Sequence, residues 1–256
     1  NKVHYTRQCL KTLCRDKNND TEIIVIDNAS SDESTKLKDE FNEITYIRNE
    51  DNRGCAGAWN QGVKQSIGDW VVILNNDVEL TDKWLDHLRL FASAHSIDIV
   101  SPGIREGDFD YKLQPYADQY TSTMQNVIRR GNVYGICFMV KKEVFKSIGL
   151  FDENFKIGQY EDADFFRRCK FAGIKSATTG SVLIHHYGSV TQKSLQKPDM
   201  PDYAKKNQIY YRKKWKLGWG KRHLERYIDQ LTHWYWRKTE FYKHKHTLFE
   251  KSENGK

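Results

Sequence analysis

No stretch of this 256-residue chain approaches the roughly 20 consecutive apolar residues that a membrane-spanning helix needs, and no basic-then-apolar leader opens it. A protein that is soluble, or at most peripheral to a membrane, is expected. The five cysteines (Cys9, Cys14, Cys55, Cys137 and Cys169) make an odd number without a C-x-x-C pair. That argues against a disulfide framework and a structural zinc site, and it points to a reducing cytoplasm. The G-x-G-x-x-G and P-loop signatures are also missing, so dinucleotide and ATP-type sites lack support. There is no internal repeat and no low-complexity tract. A net positive excess is lacking over most of the chain. Of the net +7, residues from Pro201 onward hold 15 Lys and Arg against 6 Asp and Glu, which is +9, so residues 1 to 200 carry −2. A nucleic-acid reader would spread basic charge over its folded face, and that class is disfavoured.

What is there is length for one sizeable domain plus an appendage, with no need of covalent staples. Helix-like periodicity over 4–14, 32–41, 56–66 and 82–93 alternates with strand-like runs over 22–27, 44–48, 69–74 and 97–100. Such alternation predicts right-handed βαβ crossovers: an α/β fold, Rossmann-like, with a mainly parallel sheet flanked by helices. Asn19-Asp20, Gly68-Asp69 and Ser101-Pro102-Gly103 supply the breaks. A helix leads where a sheet of this kind starts with a strand, so the expected catalytic unit lacks its first strand in this sequence. Residues 103 to 130 read as a long loop or lid. Regularity returns with a strand-like run and short helix over 134–148, stopped by Gly149, then a helix over 161–172 and a strand over 181–186. The expected division is a catalytic unit over 1–195 and a basic, aromatic, helical C-terminal extension over 196–256. The bases and aromatics of that extension suit a face resting on anionic lipid, or else aromatics packed on the domain or a partner with the bases solvated.

The run Val71-Val72-Ile73-Leu74-Asn75-Asn76-Asp77 describes a buried strand that delivers a carboxylate to its carboxyl edge, where open α/β sheets bind ligands. Asp77 is a candidate ligand for magnesium or manganese, with Asn75 or Asn76 hydrogen-bonding a nucleotide or sugar. The plainer alternative is a turn and a cap for the helix near Asp82. His185 and His186 end a later apolar run. Strand alternation sends one of them toward the same cleft, where imidazole beside carboxylate leans toward manganese; the alternative is an ordinary hydrogen-bonded histidine. Glu161-Asp162 places two carboxylates at a helix amino end, where the dipole is expected to keep a general base ionised, or where they serve only as capping acids. Asp164 and Arg167 on that helix read as salt-bridged surface residues. Asp27 and Asn28 end another buried strand, and Arg53 lies in a segment of small residues that allows close backbone approach to a phosphate or base. Alternatively, Asp27 caps the next helix and Arg53 is solvated.

Taken in order, VIDNASSD, NRGCAGAWNQG, GDWVVILNNDVEL, GICFMVKKEVFKSIGLFDENF, YEDADFFRRCKFAG and IHHYGS resemble the family 2 glycosyltransferases of GT-A fold over about residues 4 to 190. The resemblance implies inverting transfer of a sugar from a UDP- or dTDP-linked donor to an acceptor hydroxyl on a glycan, glycolipid or glycoprotein, with a divalent metal (Mn or Mg). It places Asp27, Asn28, Arg53 and Asn60 at the nucleotide and Asn75-Asn76-Asp77 at the D-x-D motif. Asp162 falls at the catalytic base, with Glu161 supporting it, and His185 or His186 at the late metal ligand. The chain departs from the family in having Asn75 where D-x-D has its first acid. Bacterial surface polysaccharide or glycoprotein glycan assembly, at the cytoplasmic face of the plasma membrane, is the expected setting. Two other classes fit parts of the pattern. A nucleotidyltransferase would carry a Gly- and Arg/Lys-rich loop near its first strand. A degenerate assembly subunit agrees with Asn75 but not with Asp77, Asp162 and the histidines.

Overall fold

In the computed structural model, residues 1–15, 17–18, 20–188 and 202–252 are described; the expected boundary at 195/196 and Asn19 of the first turn lie outside them. After α1 (Val3–Arg15), the strand β1 (Ile23–Asn28) pairs in parallel with β2 (Ile44–Asn49), Ile23 opposite Ile44 and Asn28 opposite Asn49. The helix expected over 32–41 is a 3-10 turn, Glu33–Lys36, followed by a single α turn, α2 (Leu37–Glu40). Asp32 starts it by accepting a hydrogen bond from the Ser34 amide at 3.1 Å.

The main sheet corrects the expectation of a mainly parallel one. Its seven strands are β3 (Trp70–Leu74), β4 (Val78–Leu80), β5 (Ile99–Glu106), β6 (Ile128–Arg130), β7 (Cys137–Lys141), β8 (Ser176–His186) and β9 (Phe249–Lys251). The order is β3-β7-β5-β8-β4, with β6 added to β8 and β9 to β5. β7 runs antiparallel to β3 and β5, and β4 and β6 run antiparallel to β8; only the β5–β8 and β5–β9 pairs are parallel. Periodicity along one strand says which residues are buried but carries no sign of the partner's direction.

Helices cover both faces of this sheet. Along β7, Cys137 and Met139 enter one core with Leu88, Phe91 and Ile184, while Phe138 and Val140 enter the other with Val71, Phe151 and Phe165. That is the two-residue alternation of a strand buried on both sides. α4 (Trp84–His95) closes the first core with Trp84, Leu88, Phe91 and Ala92, which recur at helical spacing. α3 (Gly54–Gln65), α6 (Lys142–Ile148) and α7 (Glu161–Phe171) close the second.

The expected loop over 103–130 is in large part ordered structure. β5 continues to Glu106 through a register irregularity at Pro102/Gly103, and α5 (Leu113–Met124) packs Ala117, Tyr120 and Met124 under it. Gly103 is required there, since a Cβ would lie 2.2 Å from the Tyr120 hydroxyl.

Two helices follow, α8 (Tyr203–Lys214) and α9 (Trp219–His244). α9 is fastened near both ends. Glu225 accepts from both terminal nitrogens of Arg167 at 3.1 and 2.9 Å, and Glu240 accepts from Nε and Nη2 of Arg129 at 2.6 Å each. α9 leaves Trp219, Tyr227, Trp234, Tyr235 and Tyr242 exposed, Trp234 on the side that faces α7 and α8. Among the described residues, no helix is long and apolar enough to cross a membrane.

Candidate active site

The β3 run ends at Leu74 and β4 begins at Val78, so Asn75-Asn76-Asp77 links two strands instead of leading into a helix. Each residue of the link is held. The Asn75 amide donates to the Ile136 carbonyl at 2.9 Å, Asn76 Nδ2 donates to Thr6 Oγ1 at 2.8 Å, and the Asp77 carbonyl accepts from the Tyr187 amide at 3.0 Å. Asp77 is buried, and its Oδ1 lies 3.4 Å from Nε2 of His186. His186 sits opposite Val78 on β4 and opposite Glu106 on β5, and its Nδ1 is 2.9 Å from Glu106 Oε2. Burial opposes a charge on this imidazole, but its hydrogen bonds to Asp77 and Glu106 outweigh that and lift its pKa to about 9.

His185 points the other way, as alternation requires. Its Nδ1 is 3.0 Å from the Tyr111 hydroxyl, and its ring lies 4.5 Å from that of Phe109. Burial, then the neighbouring His186 and Arg105, lower its pKa to about 4. The structure therefore sets His186, and not His185, against Asp77. Among the described residues no group of three or more His, Cys, Asp or Glu side chains forms a metal cage. Asp77 and His186 form a two-point donor set with Glu106 behind the imidazole, the carboxylate–histidine support common to metal ligands. Such a set fits manganese or magnesium that completes its shell with diphosphate oxygens and water.

Glu161 and Asp162 open α7 after a loop in which Ile157, Gln159 and Tyr160 all have left-handed φ, from 65° to 75°. These are costly conformations for non-glycine residues, and they persist only where the surroundings impose them. Much of that constraint comes from α8. The buried Asn207 accepts from the Lys156 amide at 3.0 Å and shares its amide protons among the carbonyls of Lys156, Gly158 and Gln159 at 2.8 to 3.1 Å. From the other side the Cys55 amide donates to the Ile157 carbonyl at 2.8 Å.

Asp162 Oδ1 accepts from the Ala163 amide at 2.7 Å, and its Oδ2 rests on Gly135, where a Cβ would come within 2.1 Å. Burial pushes the pKa of this carboxyl up, against the backbone hydrogen bonds at the helix end that favour its charge. Glu161 is buried with Oε2 lacking a protein partner, and burial followed by the charge of Asp162 raises it to about 7. Asp164, expected at the surface, is buried and accepts from Arg168 Nε, Trp215 Nε1 and Lys214 Nζ at 2.8 to 2.9 Å. Gly135→Ala would set its Cβ 2.1 Å from Oδ2, 2.9 Å from Cγ and 3.1 Å from Cβ of Asp162, so the whole side chain must shift and some stability should be lost. Displacing that carboxylate by about 1 Å should also lower turnover by roughly 10²-fold. Parental turnover in the variant would show that Asp162 needs no such placement.

The remaining candidates frame the same rim. Asp27 accepts from the Tyr46 hydroxyl at 2.6 Å and from the Ser30 amide at 2.9 Å, and it pairs with Arg48. Burial resists its charge, but these partners hold it below the usual carboxylate range. Asn28 donates to Asn52 Oδ1 at 2.8 Å and to the Gly54 carbonyl at 3.1 Å, and accepts from the Arg53 amide at 3.0 Å. The Arg53 side chain is half exposed, 3.9 Å from Glu153. Asn60 spends both ends of its amide on the 151–153 segment, donating to the Phe151 carbonyl and to Glu153 and accepting from the Phe151 amide, so a nucleotide contact would have to break that clamp. Gly54 lies against Ile157, Cys55 is within electrostatic reach of Glu161 and Asp162, Asp162 lies against Gly135, and the Ile136 carbonyl holds Asn75, two residues from Asp77. Glu106 and Asn207 had no signal in the sequence, because each acts through tertiary approach and neither stands in a motif; Gly135 opens the GICFMVKKEVFKSIGLFDENF segment, but its contact with Asp162 is a tertiary approach too.

The model of the family described as glycosyl transferase family 2 matches residues 1–149. An uncharacterised glycosyltransferase of Haemophilus influenzae is 29% identical over 147 residues, 55% of this chain and 49% of its own. The low-salt glycan biosynthesis hexosyltransferase Agl10 of Haloferax volcanii is 27% identical over 165 residues, 58% of this chain and 53% of its own. This chain thus spans about half the length of these relatives. Among solved structures, GalNAc-T7 with UDP, GalNAc and Mn²⁺ is similar with a TM-score of 0.56 at 20% identity, covering 69% of this chain and 40% of its own, a likeness of fold. Asp162 and His186 lie beyond the span of the family match, so their roles rest on the geometry above.

Proposed function

This chain belongs to glycosyl transferase family 2, and from that premise we propose that it moves a sugar from a nucleoside diphosphate donor, UDP- or dTDP-linked, to an acceptor hydroxyl with inversion. The observation that carries the proposal is the placement of Asp162 against Gly135, one residue from the Ile136 carbonyl that holds the Asn75-Asn76-Asp77 link. On this reading the base and the cation-holding carboxylate share one rim.

Asp162, its basicity raised by burial, takes the proton of the acceptor hydroxyl as that oxygen attacks the anomeric carbon. The bond from that carbon to the diphosphate oxygen breaks and its electron pair leaves with the nucleoside diphosphate. A single attack from the opposite face inverts the centre. Asp77 and His186 would hold a divalent cation, which when bound supplies Lewis-acid neutralisation of the leaving diphosphate. Glu106 fixes the ring of His186, and the Asn207-clamped loop fixes the start of α7. Asp27, Asn28 and Arg53 border the region for the base, ribose and phosphates.

The setting we infer is assembly of a bacterial surface polysaccharide or glycoprotein glycan; the naming of the Haloferax relative for glycan biosynthesis supports it. The exposed aromatics of α9 and the basic tail support a resting place on anionic lipid. Calorimetric titration of UDP and dTDP, each with and without manganese, tests the donor side. One nucleotide should bind with metal and lose roughly tenfold or more of its affinity in Asp77→Ala. Metal-independent binding, unchanged in the variant, would remove Asp77 from the site.

A further inference from the structure

We propose that the cleft between α7, α8 and α9 binds a phosphate group carried by the acceptor, an assignment that deepens the transferase reading above and rests on it. The cleft encloses about 1000 Å³, and its wall includes Tyr160 and Ala163, the residues on either side of Glu161-Asp162. Gln208 on α8 donates to the Tyr160 hydroxyl at 2.7 Å and holds that wall in place. A molecule in the cleft therefore lies alongside the helix that presents the base.

The charge of the cleft is one-sided. Six Arg and Lys side chains face it against two acids, Glu225 and Asp229. Glu225 is engaged with Arg167 at 2.9 Å. Among the described residues, Arg212, Arg222, Arg226, Arg237 and Lys238 form no ion pair. The excess of four positive charges is more than half of the +7 of the whole chain, gathered on one concave surface. Concave walls of low dielectric focus such a field and concentrate anions in it. The guanidinium fork matches phosphate oxygens two at a time, and a doubly charged phosphoester answers this excess where a single carboxylate does not. Tyr211 and Trp234 add flat faces for dispersion contact with a ring beside the phosphate. That phosphate comes from a lipid-linked acceptor or from a free phosphorylated glycan, and the chemistry of recognition is the same for both.

The test is titration of inorganic pyrophosphate into the full chain with EDTA present, which keeps the probe from reaching Asp77 and His186 through a metal. Arg226→Gln combined with Arg237→Gln should weaken binding roughly tenfold or more, since two charge-assisted contacts are lost. Lys205→Gln with Lys206→Gln removes the same charge from the outer side of α8 and should change it by about twofold or less, as expected for screened surface charge. Neither pair should alter UDP binding with manganese. Absence of pyrophosphate binding, or equal weakening in both pairs, overturns the cleft assignment. Pyrophosphate bound in the cleft beside a failure of UDP and dTDP to bind would sink the transferase reading and leave the anion site standing. Vesicles containing phosphatidic acid, whose headgroup is a phosphomonoester, against phosphatidylcholine alone, separate the sources. Displacement of the bound vesicles by pyrophosphate assigns the phosphate to a lipid headgroup, and anionic vesicles that do not compete assign it to a free glycan.

Discussion

Asp162→Asn is expected to lower the turnover of sugar transfer by roughly 10² to 10⁴-fold, the usual worth of a positioned general base, while leaving metal-dependent nucleotide binding intact. The substitution is close to isosteric. The Ala163 amide keeps an acceptor in the side-chain oxygen, and Gly135 meets a group of the same size. What disappears is the capacity to take a proton. In the parent, turnover should fall as pH drops through the raised pKa of Asp162, because the protonated acid is no base. The variant should lack that limb. Stability moves the other way. A carboxyl whose native pKa lies above its unfolded value is held more tightly by its proton in the native state, so folding stability declines as pH rises between the two values. At neutral pH the variant should be at least as stable as the parent. A loss of turnover under about tenfold would take the base away from Asp162.

The largest effect on stability is expected at the fastening of α9 to β6. Glu240→Ala should cost roughly 3–5 kcal/mol, the range seen when one member of a buried pair is removed and the other is left as an uncompensated charge. The side chains of Arg129 and Glu240 are only 2% and 7% exposed, and both ends are engaged twice over. Glu240 also accepts from the Leu248 amide at 2.9 Å, so that donor is orphaned too. For a chain of this length the loss should lower the melting temperature by roughly 10 °C. Arg129→Met combined with Glu240→Leu should recover much of it, since an apolar pair of similar volume carries no desolvation cost. Chemical denaturation of the three proteins decides the matter. A cost of about 1 kcal/mol for Glu240→Ala would mean that water reaches the pair.

The strands around the site were legible because apolar runs as short and unbroken as Val71–Leu74 and Ile23–Ile26 fit a buried strand, and the positions of Asp27 and Asp77 followed from where those runs stop, that of Asp162 from where α7 starts. The segment after Ser101 was not legible. Ser-Pro-Gly is turn chemistry by composition, yet here it lies inside β5, where the register irregularity absorbs the proline and Tyr120 needs the space beside Gly103. The same turn chemistry masks α5, whose buried face is Ala117, Tyr120 and Met124 within an otherwise polar stretch. For the histidines, alternation stated that His185 and His186 part company but not which faces the carboxylate. The choice lies in the pairing of β8 with β4 and β5, and above all in Glu106, a residue of no motif. The direction of β7 was beyond reach for a similar reason, since pairing partners are settled by the whole sheet.

The amide of Asn207 stands 48 to 51 positions along the chain from the loop groups that it binds. A chain made from its amino end has therefore completed β3, β7 and α7 before the clamp for the 156–160 turn exists. Until Asn207 arrives, the carbonyls of Gly158 and Gln159 lack its amide, and the three left-handed residues of that turn are without much of what holds them. The start of α7 thus reaches its final setting late in synthesis, and a polypeptide halted before α8 would display Glu161 and Asp162 without the clamp on the turn that leads to them.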